Sequence, residues 1–149
     1  MLKVGDKLPK FEGFNQDGIT INSENFLGKK LIVFFYPQAS TPTCTVEACN
    51  LNSNYAELQK AGYQLLGISA DSVAKQKKFH DRNNFEYDLL ADENKEVVNA
   101  FGVWQQKKTF GKEYMGIVRT TFVFDENGVC TRVIEKVKSK EAAQQILSE

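Results

Sequence analysis

Residues 30–36 read Lys30-Leu-Ile-Val-Phe-Phe-Tyr36, closed by Pro37, and this run decides the fold class. Its apolar residues are rich in β-branched and aromatic types and do not alternate with polar ones. A half-exposed strand would alternate, so an unbroken run of this length reads as a strand buried on both faces. Tyr63-Gln-Leu-Leu-Gly-Ile-Ser69 is a second strand of the same kind. Between the two, Pro42–Ala61 turns helical, with Cys44, Ala48, Leu51, Tyr55 and Leu58 at three- and four-residue intervals and Gly62 as the stop. Strand, helix, strand in that order predicts a parallel pair.

Working outward, Asp17-Gly18 is a turn signal between Lys10–Phe14 and Ile19–Ile21, which predicts an N-terminal hairpin. Asp71 or Ser72 caps a helix running to Arg82, Asp88–Ala91 is a short strand, and Asp92 precedes a helix over Asn94–Phe101 that Gly102 ends. Thr120–Phe124 and Val129–Lys138 are strands joined through Asp125-Glu-Asn-Gly128, and Ser139 caps a last helix, Lys140–Leu147. No linker or repeat interrupts this pattern. The expectation is one α/β domain over residues 1–149, a mixed central sheet flanked by helices with an N-terminal hairpin.

The charge balance narrows the function. Nineteen Lys plus Arg face nineteen Asp plus Glu, so the net charge is zero. The basic surplus of a nucleic-acid binder or a polybasic membrane protein is missing, and neither partner is expected. A hydrophobic share of 42% with 11% aromatics excludes intrinsic disorder. Met1–Lys10 lacks the apolar stretch of a secretory signal, and the longest apolar runs are strand-sized, so the expected compartment is the cytoplasm. Three cysteines are too few for a disulfide scaffold, and in a reducing compartment they are either buried and inert or chemically active.

Cys44 follows the buried strand, a Ser/Thr/Pro loop and a proline suited to a helix's first turn. With Thr41 as N-cap and Pro42 as N1, Cys44 is N3, beside unpaired N–H groups and the positive end of the helix dipole. Both favour negative charge on sulfur. Loops at the carboxyl ends of parallel strands are also where such sheets place their sites. Cys49 lies five residues on, which on a regular helix separates the Cα atoms by ~8.6 Å, beyond the ~7 Å reach of a disulfide. A bond between them requires the first turns to unwind, so it would be a transient bond and not a staple.

Other thiol chemistries fit less well. There is no Cys-x-x-Cys dithiol, and a zinc site would need Cys44, Cys49, Cys130 and His80 without a paired ligand knuckle. A Cys–His hydrolase would have to recruit His80, which sits in the charged stretch Lys75–Arg82 and reads as a solvated helix face. No glycine-rich phosphate loop occurs.

The run Pro37, Thr41, Cys44 has the Pro-x-x-x-Thr-x-x-Cys form and resembles the peroxiredoxins, and Cys49 resembles the resolving cysteine of their bacterioferritin comigratory protein, or peroxiredoxin Q, group. The similarity runs from Val4 to about Ile134 and takes in Gly67-Ile-Ser-Ala-Asp71, Ala100-Phe-Gly-Val-Trp104 and Tyr114–Phe122. It implies a thioredoxin-like fold and a thiol peroxidase. Cys44 would be the peroxidatic thiolate and Cys49 the resolving thiol. Thr41 would hold the sulfur and orient the peroxide, Arg119 would supply positive charge, and Pro37 would shield the sulfur from water. The resemblance implies a hydroperoxide substrate, thioredoxin or a similar dithiol as reductant, a monomer, and no metal or organic cofactor.

Each role has a plainer rival. Thr41 can be only a helix cap, Arg119 only a surface ion pair, and Cys130 only packing. Trp104 and Met115 read as core or pocket rim. Glu47 stands where related sequences often carry Glu and can simply favour the helix N-terminus. Thr43 stands where they usually have Gly, which either narrows the pocket or alters how the first turn unwinds, and Asn52-Ser53 replaces a frequent Arg-Asp pair. A thiol–disulfide oxidoreductase and a non-catalytic binding or chaperone module of the same fold stay open as alternatives.

Overall fold

The structure, a computed structural model, describes residues 1–148. Seven strands form one mixed sheet: β1 (Glu12–Asn15), β2 (Thr20–Asn22), β3 (Lys30–Phe35), β4 (Tyr63–Ser69), β5 (Asp88–Ala91), β8 (Thr120–Phe124) and β9 (Cys130–Ile134), in the order β2-β1-β5-β4-β3-β8-β9. The strands β3, β4 and β5 run parallel, while the β1–β2 and β8–β9 hairpins pair antiparallel at the two edges. The remaining strands, β6 (Trp104–Thr109) and β7 (Lys112–Ile117), make a separate hairpin.

The centre of the sheet is buried on both faces, as the unbroken apolar run requires. Along β3 and its exit, Ile32, Phe34 and Tyr36 point into one core cluster, and Leu31, Val33 and Phe35 into the other. The first cluster is covered by α1 (Pro42–Ser53), α3 (Val73–Asn83) and α5 (Ala142–Leu147), through Cys44, Ala48, Leu51, Phe79 and Ile146. The second is covered by α4 (Glu96–Ala100), with Phe101 packed against Phe35 and Phe122 at ring separations of 4.9 and 5.2 Å. Gly67 of β4 is set by this packing. A Cβ there would lie 2.7 Å from the Phe34 ring and 2.9 Å from Leu89.

Several element boundaries depart from expectation. The helix expected over Pro42–Ala61 is two, α1 and α2 (Tyr55–Lys60), broken at Asn54, whose backbone leaves helical geometry and whose side chain donates to the Asn50 carbonyl. Ser139 does not cap the last helix. Ser139–Glu141 forms a 3-10 turn, and one N–H group in the first turn of α5 is met from outside by Asn50 Oδ1, which accepts from Ala143 N at 2.9 Å. The strand expected to reach Lys138 stops at Ile134. Ser72 caps α3, accepting from Lys75 N. The helix expected over Asn94–Phe101 spans only Glu96–Ala100 with Lys95 at its N-cap, and Asp92, three residues earlier, accepts from the backbone N–H groups of Val97 and Val98.

The β6–β7 hairpin has no counterpart in the sequence reading. Its strands carry Gln, Lys and Glu on both faces, so no core-facing stripe marks them. Its turn is Phe110-Gly111, with φ of +52° and +78°. Two successive left-handed residues make the turn that suits a two-residue hairpin, a conformation that costs a bulky residue such as Phe about 1–2 kcal/mol.

Candidate active site

Cys44 sits on the third residue of α1, directly after the loop that leaves β3, and only 2% of it is exposed. A buried polar network holds this loop. The Tyr36 hydroxyl donates to Gln76 Oε1, and Gln76 Nε2 donates to Ser69 Oγ. Ser69 Oγ donates to Asp71 Oδ2, which also accepts from the Ala39 backbone N–H at 2.7 Å. The ends of β3 and β4 are thereby tied to the loop that presents the thiol. Asp71, a possible helix cap by its sequence position, serves the loop instead, and Gln76 carries no mark in the sequence. A glutamine fully buried on a charged helix is a signal only once burial is known.

Arg119 comes to the same point from the residue before β8. Its Nη2 donates to Cys44 Sγ at 3.2 Å and its Nη1 to Glu47 Oε1 at 2.5 Å. Surface pairing, the plainer reading of Arg119, is overturned, because Glu47 is fully buried. Burial pushes Glu47 up to about 7 while Arg119 pulls it down, and Glu47 Oε2 has no hydrogen-bond partner among the described residues. Burial works against the Arg119 charge too, but Glu47 and the Cys44 sulfur outweigh it and its pKa is raised. The guanidinium thus bridges a buried carboxyl and a buried sulfur (a two-sided role only the planar fork of Arg can fill).

Thr41 occupies the N-cap position of α1 but does not cap with its side chain. Its hydroxyl donates to the Gln38 carbonyl at 2.9 Å, across the loop. Thr43 is exposed and lines a shallow groove with Pro42, Val46 and Lys140, so it does not narrow the surroundings of the sulfur. Pro37 lies at the edge of a cleft of about 380 Å3, walled further by Ala70, Trp104, Tyr114, Met115 and Ile117. Trp104 and Met115 are therefore rim residues. A larger hollow, about 490 Å3 between β1 and the start of α4, shares none of these residues.

Cys49 lies on the same helix, half-buried at the edge of the cluster that holds Cys44, with its thiol donating to Asn83 Oδ1 at 3.5 Å. Burial pushes its pKa up. Both cysteines are free, and α1 is continuous between them. The same stretch is pinned from outside by the Tyr87 hydroxyl, which donates to the Ala48 carbonyl. Asn52, which stands with Ser53 in place of a frequent Arg-Asp pair, bridges to the loop after α3, accepting from Glu86 N and donating to the Asn84 carbonyl. Cys130 is buried in the opposite cluster, with its thiol on the Arg132 carbonyl. His80 is partly buried, with its ring edge-on to Phe85 and Nδ1 on Asp81, and no thiol among its partners in the described residues. Among the described residues, no group of three His, Cys, Asp or Glu side chains is placed to hold a metal ion.

A buried thiol at a helix N-terminus, under an arginine that also holds a buried glutamate, can be compared with known proteins. The model of the AhpC/TSA family matches residues 4–133. The chain belongs to that family. Peroxiredoxin Bcp of Escherichia coli is 44% identical over 138 residues, covering 93% of this chain and 88% of that protein. Peroxiredoxin Bcp of Bacillus subtilis is 36% identical over 146 residues, covering 98% and 93%. The solved bacterioferritin comigratory protein of Xanthomonas campestris is 30% identical with a TM-score of 0.88, covering 96% of both chains. Within the family, this peroxiredoxin falls in the Bcp, or peroxiredoxin Q, group, and its sheet and helices are those of the thioredoxin fold.

Proposed function

We propose that this peroxiredoxin reduces hydroperoxides with Cys44 as the attacking thiolate, and that the contact between Arg119 and the Cys44 sulfur is the observation that carries the assignment. The thiolate attacks one peroxide oxygen, the O–O bond breaks, and the other oxygen leaves with its electron pair, takes a proton and departs as water or alcohol. Cys44 becomes a sulfenic acid. The Xanthomonas relative is described by its alkyl peroxide reduction activity, which supports organic hydroperoxides among the substrates here.

The residues around Cys44 have definite parts. Arg119 stabilises the negative sulfur and the charge developing on the leaving oxygen. Thr41 donates to the peroxide when its hydroxyl turns from Gln38, and Pro37 keeps bulk water from the sulfur. Cys49 then attacks the sulfenic sulfur, expelling water and forming a Cys44–Cys49 disulfide once the helix between them unwinds. A dithiol protein such as thioredoxin returns both thiols by exchange. The reading includes a cytoplasmic monomer, and among the described residues no helix is long and apolar enough to cross a membrane.

The test is peroxide consumption by purified protein with a thioredoxin system. Turnover that is lost in Cys44→Ser supports the reading, and undiminished turnover in that variant refutes it.

A further inference from the structure

The tip of the β6–β7 hairpin combines two features that fold stability does not explain. Phe110 is fully exposed and sits at a φ of +52° that favours Asn or Gly. A large apolar side chain is held in an unfavourable conformation while burying nothing. The surroundings are basic. Lys108 and Lys112 are exposed on either side of the turn, Lys107 lies over the Tyr114 ring, and Lys95 lies over the Trp104 ring at the hairpin base. Glu113 is the one acidic residue of 104–117, against three lysines, and it is engaged by Gln106. Zero net charge, which argued against a membrane partner, is an average that conceals this finger.

We propose that the β6–β7 hairpin docks the protein on anionic phospholipid surfaces, with Phe110 seated among the headgroups and Lys108 and Lys112 beside it. An aromatic ring flanked by lysines suits that interface, because the ring takes the apolar boundary while the amines reach the phosphates. A protein partner is a poorer occupant. A stable protein contact buries about 800 Å2 on each side, which a two-residue turn does not offer, whereas a bilayer needs no matching shape. The same hairpin supplies Trp104, Tyr114 and Met115 to the cleft beside Pro37. Docking would therefore bring that cleft to lipid hydroperoxides, whose polar peroxide groups favour the headgroup region. This last clause rests on the peroxidase reading above, but the docking itself does not.

The experiment is co-sedimentation with vesicles of phosphatidylcholine, alone or mixed with phosphatidylglycerol. Wild type is expected to bind the anionic vesicles, with affinity that falls as salt rises, and to bind the neutral ones far less. Phe110→Asn should weaken binding roughly tenfold, and each of Lys108→Gln and Lys112→Gln about fivefold. Phe110→Asn should also raise the melting temperature, since Asn tolerates the turn, and should keep hydrogen peroxide turnover unchanged while slowing reduction of phospholipid hydroperoxide in the anionic vesicles. Absence of wild-type binding to anionic vesicles, or binding by the variants equal to wild type, would overturn the proposal. Hydrogen peroxide turnover in the same samples reports separately on the peroxidase reading.

Discussion

Arg119 donates to the Cys44 sulfur across 3.2 Å although 75 residues separate the two in the chain. The contact joins the start of α1 to the start of β8, and with Glu47 it completes a buried sulfur–guanidinium–carboxyl row. The Cys44 thiol is thus positioned by the end of one strand and electrically set by the beginning of another.

Replacing Arg119 by Lys keeps the charge but cannot serve both neighbours at once. We expect Arg119→Lys to lower the second-order rate of Cys44 oxidation by roughly 10²–10³, the range seen when one such donor is lost. Stopped-flow oxidation at varied peroxide concentrations gives the number directly. A loss of less than threefold would remove Arg119 from the chemical step.

Glu47 gives the site a pH dependence with a definite sign. Burial raises its carboxyl from the ordinary 4.5 to about 7. A carboxyl with a higher pKa folded than unfolded contributes stability below the lower value and loses it as pH rises through the higher one. Relative to Glu47→Gln, the wild type should therefore lose up to ~3 kcal/mol between pH 4.5 and 8. Urea denaturation of both proteins across that range, in a Cys44→Ser background, checks it. A constant difference would show that Glu47 does not titrate there.

The Tyr87 hydroxyl pins Ala48, inside the segment that must unwind for the proposed disulfide. Tyr87→Phe keeps the ring and removes the bond, so it should cost about 0.5–1.5 kcal/mol and speed disulfide formation by up to ~10-fold. Quenched-flow mass spectrometry after one equivalent of peroxide measures the rate and maps the product. A Cys44–Cys130 bond would refute the resolving role of Cys49.

Gly67→Ala tests the packing behind the site. The new methyl meets the Phe34 ring at 2.7 Å and Leu89 at 2.9 Å. Both neighbours are buried, and we expect a loss of about 1–3 kcal/mol, read as a lower melting temperature. An unchanged melting temperature would mean the core yields more easily than its contacts indicate.

The parts of this architecture set by local pattern were legible in the sequence. The apolar runs of β3 and β4 announced their double-sided burial, and Pro42 fixed where α1 begins and Cys44 at its third residue. What escaped depends on partners distant in the chain. Asn54 looks like one more helical residue until its side chain is seen on the Asn50 carbonyl. Glu47 looks like a favourable charge at a helix start until Arg119 and complete burial are known. The β6–β7 hairpin escaped for the opposite reason, since it packs against too little to leave a periodic stripe.

The make-up of α1 has a consequence beyond geometry. Thr43, Thr45, Val46, Asn50, Asn52 and Ser53 are all weak helix formers, and tertiary contacts through Ala48 and Leu51 hold the helix in place. If the proposed disulfide forms, each turnover is a partial denaturation, reversed when the thiols return. Such a protein has a ceiling on its own robustness. Substitutions that improve this helix, the kind any search for thermostability would find first, should trap the enzyme as a sulfenic acid open to irreversible oxidation.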